Sequence, residues 1–585
     1  MGTISDKLMR IINTKEDIRQ ALISKGYDVP TSIPFKEYAK MILDLPCKVD
    51  SFPDIEGIVA RYSASGLTNE QMAANPVWVD KTGNGHDLQM KNFFWGGMSG
   101  VGGYKLNWSD SSIWRDYITQ GTFGTGEITD NTIHITSAKT NNSLFETRAS
   151  LKSVEYKVLI KGLTDDIYLR YGVFNDGKEL WTEIKNDGIY ALPSYDYDSR
   201  YNMKWKVMSQ TYPIDCNITI EQLPLYPGAL VFDGVDDYGV CENFPILTKE
   251  KGYTVVALRQ WITRGKGALG LVSNVKNWLN NGAFLLEYRN IQADHLNKPI
   301  SFGAIGSEMD LPHILTYQTS KSYNGVSIIT GNFEGTDVLH VGKLAPTNVG
   351  TCINAAIWEL VFLDHDATEE ELTKIKDYFV KTYPWLFPYQ AWTVVGKTNE
   401  DEDRATITNI TGNGNDLVLS NFGFIEGSGY NEEGQYAGYL VTDGVDDKIA
   451  SSDFKMGKDF TIVGDWKFID NKKSGTGLVK GSSFYIYNTM IGLDLYINSG
   501  SVKNSLDGIK SINAACSDGR AYDRNWNEIL ANTGNVVGSG GILEVSSSGG
   551  RFDRIAFKNL AIYPRILSKD DCIKAYNYLQ TLKSK

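Results

Sequence analysis

A phrase written twice constrains this chain more than any other feature. Thr82-Gly83-Asn84-Gly85-His86-Asp87-Leu88, running on to Asn92-Phe93, returns as Thr411-Gly412-Asn413-Gly414-Asn415-Asp416-Leu417 with Asn421-Phe422. Asp233-Gly234-Val235-Asp236-Asp237 returns as Asp443-Gly444-Val445-Asp446-Asp447, and the shorter Thr68-Asn69-Glu70 as Thr398-Asn399-Glu400. Three landmarks in one order imply a duplicated domain. Gly83 to Asp233 spans 150 residues, whereas Gly412 to Asp443 spans 31. The surplus is the size of a domain, so one copy is expected to carry a whole module between two of its strands.

At 585 residues the chain is too long for one core, and three to five units are expected. Its net charge is −12, and no run of Lys and Arg interleaved with aromatics tracks a phosphate backbone. Nucleic acid is therefore not an expected ligand. Cys47, Cys216, Cys241, Cys352, Cys516 and Cys572 are scattered, with no pair two or three residues apart. That spacing fits neither a zinc knuckle, a redox motif nor a disulfide framework. The N-terminus lacks the charged start and apolar run of a secretory signal, and no stretch of about 18 apolar residues occurs. These features predict synthesis in a cytoplasm and no insertion in a membrane; no cofactor is expected.

Residues 1–50 read as three short helices. Ile4, Leu8, Ile11 and Ile12 recur at helical spacing, Thr14 and Asp17 resemble a capping pair, and Pro34 can open a third helix that ends before Pro46. So small a piece buries too little alone and is expected to anchor or oligomerise. From about residue 51 the texture changes to short alternating segments between Gly, Asn and Asp, the mark of antiparallel sheet. The copies close alike. Ala356–Phe362 leads to a helix opened by Thr368 and Glu371, while Arg554–Phe557 and Leu560–Tyr563 lead to one opened by Ser568 and Asp571. The prolines of Tyr383–Tyr389 predict a stiff link between them.

The expected fold is mainly β. Two sandwiches occupy 51–104 with 226–388 and 389–585, a third β domain fills 105–225, and the helical segment 1–50 precedes them. Phe232–Tyr238, Asp80–Gly85 and the closing strand plus helix resemble the laminin-G-like branch of the concanavalin A-like lectin/glucanase superfamily. The inserted module resembles a carbohydrate-binding jelly roll by strand pattern. Ile4–Leu8, Asn13–Ile23 and Lys25-Gly26 are similar to N-terminal segments of tailed-bacteriophage virion proteins, and the combination is most like fibre and appendage proteins of crAss-like phages. That resemblance implies a virion protein, of head or tail, docked to other virion proteins through its N-terminal helices. It also implies a homo-oligomer, trimer or dimer, whose lectin-like domains hold host-surface or mucosal glycans weakly. The alternatives are a virion-borne polysaccharide-degrading enzyme on the same fold and a bacterial surface lectin.

The motifs favour binding over catalysis. Asp233, Asp236 and Asp237, with Asp443, Asp446 and Asp447, read as tight turns in preference to calcium sites, because they supply few oxygens. Thr-Gly-Asn-Gly lacks the Lys-Ser or Lys-Thr of a phosphate cradle. Glycoside hydrolysis needs two carboxylates at a set separation, and the Glu-x-Asp-x-x-Glu-type cluster of the superfamily's catalytic branch is absent. Glu155, Glu183 and Glu359 stand alone. His86, His134, His295, His313, His340 and His365 are dispersed, and Asn415 replaces His86 in the second copy. Asp364-His365-Asp366 reads as a capping turn, and no Gly-x-Ser-x-Gly elbow occurs. Trp108, Trp114, Tyr195, Tyr197 and Tyr201 lie in polar, loop-like sequence where rings could stack on sugars, though most aromatics in sandwiches pack internally. No catalytic, metal or ligand residue is assigned from this.

Overall fold

The computed structural model describes residues 52–147, 156–175, 178–192, 202–248, 250–262, 270–274, 285–286, 315–323, 326–327, 336–343, 352–411, 415–433, 436–470, 477–480, 484–488, 492–497, 505–507, 512–530, 539–545, 547–548, 551–552 and 554–582. The expected helical segment 1–50 lies outside them. Ile55–Lys585 is one compact unit, and the protein is mainly β, built of antiparallel sheets with few helices. Among the described residues no helix is long and apolar enough to cross a membrane.

Two sheets face one another around each of three hydrophobic cores. In the first sandwich an eight-stranded sheet is centred on the strands Thr254–Trp261 and Asn354–Leu363, and a six-stranded sheet includes Leu88–Lys91 and Tyr238–Cys241. Leu88 and Met90 point inward while Gln89 and Lys91 face solvent, the two-residue period of a half-buried strand. Thr254–Trp261 is buried at every position, with an apolar run from Val255 to Leu258 and the buried polar residues Thr254, Arg259 and Gln260 at its ends. A bulge between Leu258 and Arg259 shifts the register opposite Asn354–Leu363. Ala355 and Ile357 therefore reach the core on one parity, Leu360 and Phe362 on the other. The second sandwich repeats the device: a bulge between Asp465 and Trp466 sends Ile555 and Phe557, then Leu560 and Ile562, into its core.

The inserted β domain enters where the second copy has a hairpin. There Gly429–Asn431 pairs with Tyr439–Val441, and Gly438 N donates to Asn431 O across a short loop. In the first copy Gly100–Val101 pairs with Leu230–Asp233 in the same register, but between them the chain departs and returns. The departing and returning strands stay bonded, Leu225 N to Gly103 O at 2.9 Å and Tyr226 N to Gly102 O at 2.8 Å. Two five-stranded sheets lie between these points, packed around Ile133, Ile135, Tyr171, Trp205 and Ile220. The landmark Thr-Asn-Glu braces the departure: Asn69 Oδ1 accepts from Val101 N at 2.7 Å, as Asn399 Oδ1 does from Tyr430 N at 2.8 Å. Gly100 and Gly429 are required beneath, since a Cβ at either would sit 2.5 Å from that amide oxygen.

Each sandwich closes with a capped helix. Thr368 and Glu371 form a reciprocal capping box on Glu369–Thr382, and Ser568 Oγ accepts from Asp571 N on Lys569–Leu579. The short 3-10 turn Pro384–Leu386 follows the first helix with Trp385 and Leu386 buried. Across this link Tyr563 OH donates to Trp385 O at 2.8 Å and Arg565 donates to Val380 O at 3.0 Å. Gln260 donates to Thr581 Oγ1 at 3.0 Å, and the Lys157 ammonium of the inserted domain lies 3.3 Å from the ring centroid of Tyr576.

The copies differ at one buried ion pair. Arg61 meets Glu359 at 3.1 Å with both side chains buried; Tyr383 OH donates to Glu359 and Arg61 donates to Tyr378 OH, both at 2.8 Å. By strand register, Arg61 and Glu359 correspond to Ala391 and Asn559, so both charges vanish together in the second sandwich. Desolvation makes such a pair costly to halve. Glu359→Gln is expected to destabilise by about 3–5 kcal/mol, and Arg61→Ala/Glu359→Asn to cost clearly less than the two single changes added. Urea denaturation of the four proteins of this cycle checks the point, and simple additivity would contradict it.

Candidate functional site

The five-residue acidic landmark links a strand of one sheet to a strand of the other, Leu230–Asp233 to Tyr238–Cys241. Asp233 Oδ1 accepts from Val235 N at 2.7 Å, an Asx turn that needs Gly234 at φ +81°. Asp237 turns back: Oδ2 accepts from Asp233 N at 3.0 Å and Oδ1 from Ser99 Oγ at 3.0 Å. Ser99 Oγ in turn accepts from Phe94 N at 2.8 Å. Asn92, itself left-handed at φ 67°, donates to Asp236 O at 3.0 Å. The second copy reproduces each bond. Asp443 accepts from Val445 N, Asp447 from Asp443 N and Ser428 Oγ, Ser428 from Gly423 N, and Asn421 donates to Asp446 O.

Within each turn the three carboxylates bring oxygens within 4.8 Å of one another. Burial, reinforced by the Asp233 charge, pushes the Asp237 carboxyl up to about 8, and burial raises Asp447 to about 6. Three oxygens are half of what a calcium ion takes, and both oxygens of each buried Asp already accept a protein donor. A cation bound here would need further oxygens from outside the turn. As it stands, the arrangement clamps the turn to the loop that carries Ser99 or Ser428.

Glu359 is fully buried in the ion pair above; Glu183 binds Arg170 at 2.7 Å and Lys185 at 3.1 Å on the surface; Glu155 lies outside the described residues. His134 bonds Asn217, and His365 sits between Asp364 and Glu371 at the helix start. Asp366 accepts from Ser320 N and Oγ and meets Lys321. His340 is buried, and burial lowers its affinity for a proton to about 4. His295 and His313 lie outside the described residues. His86 serves through its backbone: Tyr62 OH donates to His86 O as Trp392 Nε1 donates to Asn415 O at 3.0 Å. The side chain at that position is therefore free to change between copies. Trp108 and Trp114, expected in loop-like surroundings, belong to the inserted domain's core, Trp114 stacked 4.7 Å from Phe145. Their polar neighbours in sequence, Asn107, Asp110 and Ser112, are turn residues that fold the rings inward. Tyr195, Tyr197 and Tyr201 lie outside the described residues.

A feature that sequence reading missed lies where the inserted domain meets the second sandwich. A cleft of about 80 Å³ there is lined by Lys105, Lys157, Lys558, Gln222, Asn577 and Gln580, with the apolar wall Leu223–Leu225. The available signal was Lys558 itself, a charge in the middle of the apolar strand Arg554–Tyr563 where the first copy has Trp358.

No family model matches the chain, and no curated protein matches it. Among solved structures, domain 4 of AbnA, an extracellular arabinanase from Geobacillus stearothermophilus in complex with arabinotriose, aligns at 14% identity. The alignment covers 32% of this chain and 99% of that chain, with a TM-score of 0.24. Trypanosoma rangeli sialidase in complex with sialic acid aligns at 9% identity over 83% of this chain and 99% of that chain, with a TM-score of 0.22. Likenesses of this extent assign no substrate or reaction.

The raised carboxyls set a pH dependence. Folded, Asp237 and Asp447 keep protons that the unfolded chain releases near pH 4, so the folded state binds more protons between about pH 4 and 8. Their contribution to stability is present in acid and lost as pH rises through those folded values. Asp237→Asn is expected to flatten the fall in urea midpoint between about pH 5 and 8, and a slope left unchanged would refute the assignment. Millimolar Ca²⁺ is expected to leave the melting temperature unaltered; a rise abolished by Asp236→Asn would instead place a cation in the turn.

Proposed function

We propose that this protein is a non-enzymatic structural and attachment protein of a virion, docked through residues 1–50 and displaying its β domains for weak hold on surface glycans. One observation carries the non-enzymatic part. Among the described residues, Glu359 is held by Arg61, Asp237 and Asp447 are held in their turns, and Glu183 is paired with Arg170 and Lys185. Glycoside hydrolysis needs a pair left open to the scissile bond.

Rigidity supports the display role. Hydrogen bonds between the sandwiches and the Lys157–Tyr576 contact join three cores into one unit. A stiff multidomain arm loses little freedom when it attaches, and several arms presented together raise avidity without new contacts. The virion assignment is supported by the N-terminal resemblance, as is attachment of the particle through that segment.

Host polysaccharide passed over the immobilised protein is expected to be retained with its length unchanged. Release of new reducing ends would replace this reading with that of a depolymerase. Deletion of residues 1–50 is expected to abolish incorporation into particles while leaving the melting of the β unit unaltered, and normal occupancy of the truncated protein would overturn the anchoring role.

A further inference from the structure

We propose that Cys516 and Cys572 form a redox-sensitive thiol pair, closing to a disulfide that staples the last helix of the second sandwich to its sheet. The staple is independent of the virion reading and requires only transfer of the chain from a reducing to an oxidising medium.

The two cysteines lie 56 residues apart in sequence, so no spacing rule joins them. The fold brings them together. Cys516 ends the strand Ile512–Cys516 and pairs with Thr461 on the neighbouring strand Thr461–Asp470. Cys572 stands in the first turn of the helix Lys569–Leu579, where its amide donates to Ser568 O at 2.9 Å. Thr461 ties the strand to the start of that helix. Its Oγ1 accepts from Leu567 N and donates to Arg565 O, both at 2.9 Å, and lies 3.6 Å from Cys516 Sγ. Cys516 Sγ is also 4.0 Å from Leu567 O, and the Cys572 thiol reaches the same sulfur and hydrogen-bonds to it. Both cysteines are fully buried. By contrast, Cys216 and Cys241 direct their thiols to oxygen, Ile135 O at 3.6 Å and Asn243 Oδ1 at 3.3 Å.

The duplication shows the pair changing as a unit. Thr254 is bonded to His365 O and Ala367 N as Thr461 is to Arg565 O and Leu567 N, which fixes the alignment of the copies here. Thr254 pairs with Thr319 where Thr461 pairs with Cys516, and the capped starts at Thr368 and Ser568 set Leu372 against Cys572. In the first copy Thr319 folds its own turn, accepting from Lys321 N and Ser322 N. In the second copy that threonine and the helix leucine are two sulfurs in contact. A cysteine fills either position singly as a small apolar residue; two in contact are what a disulfide requires.

The two sulfurs have different parts. The hydrogen bond from Cys572, with that from Thr461, holds the Cys516 thiol below its usual range, whereas the bond to Cys516, with burial, raises Cys572. Cys516 is therefore the attacking thiolate. On a small disulfide of the glutathione class it forms a mixed disulfide and expels one thiolate. The Cys572 sulfur, losing its proton, then attacks Cys516 and expels the second. The two protons and two electrons given up by the protein leave as two molecules of reduced thiol. Because both sulfurs are buried, exchange follows local opening of the helix. A link across so long a loop restricts the unfolded chain, so the oxidised form is the more stable.

Equilibration of the full chain with glutathione disulfide, both natively and during refolding from urea, tests the pair when followed by alkylation, digestion and mass spectrometry. A linked Cys516–Cys572 peptide is expected, and oxidised protein is expected to melt about 5 °C or more above reduced protein. Recovery of the two cysteines alkylated, or glutathionylated without linkage, in both arms overturns the pair. Linkage with an unchanged melting temperature overturns the staple. The double variant Cys516→Thr/Cys572→Leu, matching Thr319 and Leu372 of the first copy, and the single variant Cys572→Ala are each expected to melt alike in both media. A rise that persists in either one assigns the effect to other cysteines and overturns the proposal.

Discussion

The bond from Asp237 to Ser99, with its twin from Asp447 to Ser428, is the constraint on which the architecture depends. Each ties the turn between the two facing sheets to the loop that precedes the variable hairpin. In the second copy that hairpin is a short loop; in the first it carries a domain. Fixing the loop at Ser99 and the returning strand at Leu230–Asp233 leaves the insertion point the same whatever departs from it. A carboxylate buried for this purpose loses hydration, and the donors Asp233 N and Ser99 Oγ compensate in part.

Once the frame is fixed, the copies are free to diverge where the frame makes no demand, and they do so in coupled sets. Arg61 and Glu359 become Ala391 and Asn559 together, because either charge alone would be stranded in the core. Asn559 takes up the vacated position by accepting from Asp465 N and donating to Leu579 O. Trp358, Asp377 and Val380 become Lys558, Asn577 and Gln580 on the face that meets the inserted domain. The first set preserves stability. The second exchanges an indole, a carboxylate and an isopropyl group for an ammonium and two amides.

Much of the fold was legible because its signals are local. Alternation in Leu88–Lys91, the capping residues Thr368 and Ser568, and the repeated turn each act within a few residues, so sequence carries them directly. The site was legible only in part. Trp108 and Trp114 sit among turn residues whose polarity suggested exposure, yet the turns themselves swing the rings into the core. The bulge that switches inward parity along Asn354–Leu363 leaves no mark in that strand's composition, because both faces are buried. The cleft depends on Lys157 and Lys558 meeting across domains, a proximity no spacing rule reports.

The exchange of His86 for Asn415 shows how repeats separate structural from chemical use of a position. A histidine beside Asp87 invites a catalytic reading until the second copy is superposed on the first. What persists is the carbonyl, taken by Tyr62 OH in one copy and Trp392 Nε1 in the other, and the neighbouring acid, whose carboxylate accepts from Asp80 N at 2.8 Å and Asn409 N at 2.7 Å. Asp80 and Asn409 then fold the Thr82 and Thr411 turns by accepting from both the amide and the hydroxyl of the threonine. An acid and an amide do the same job there because an acceptor oxygen is all the turn requires.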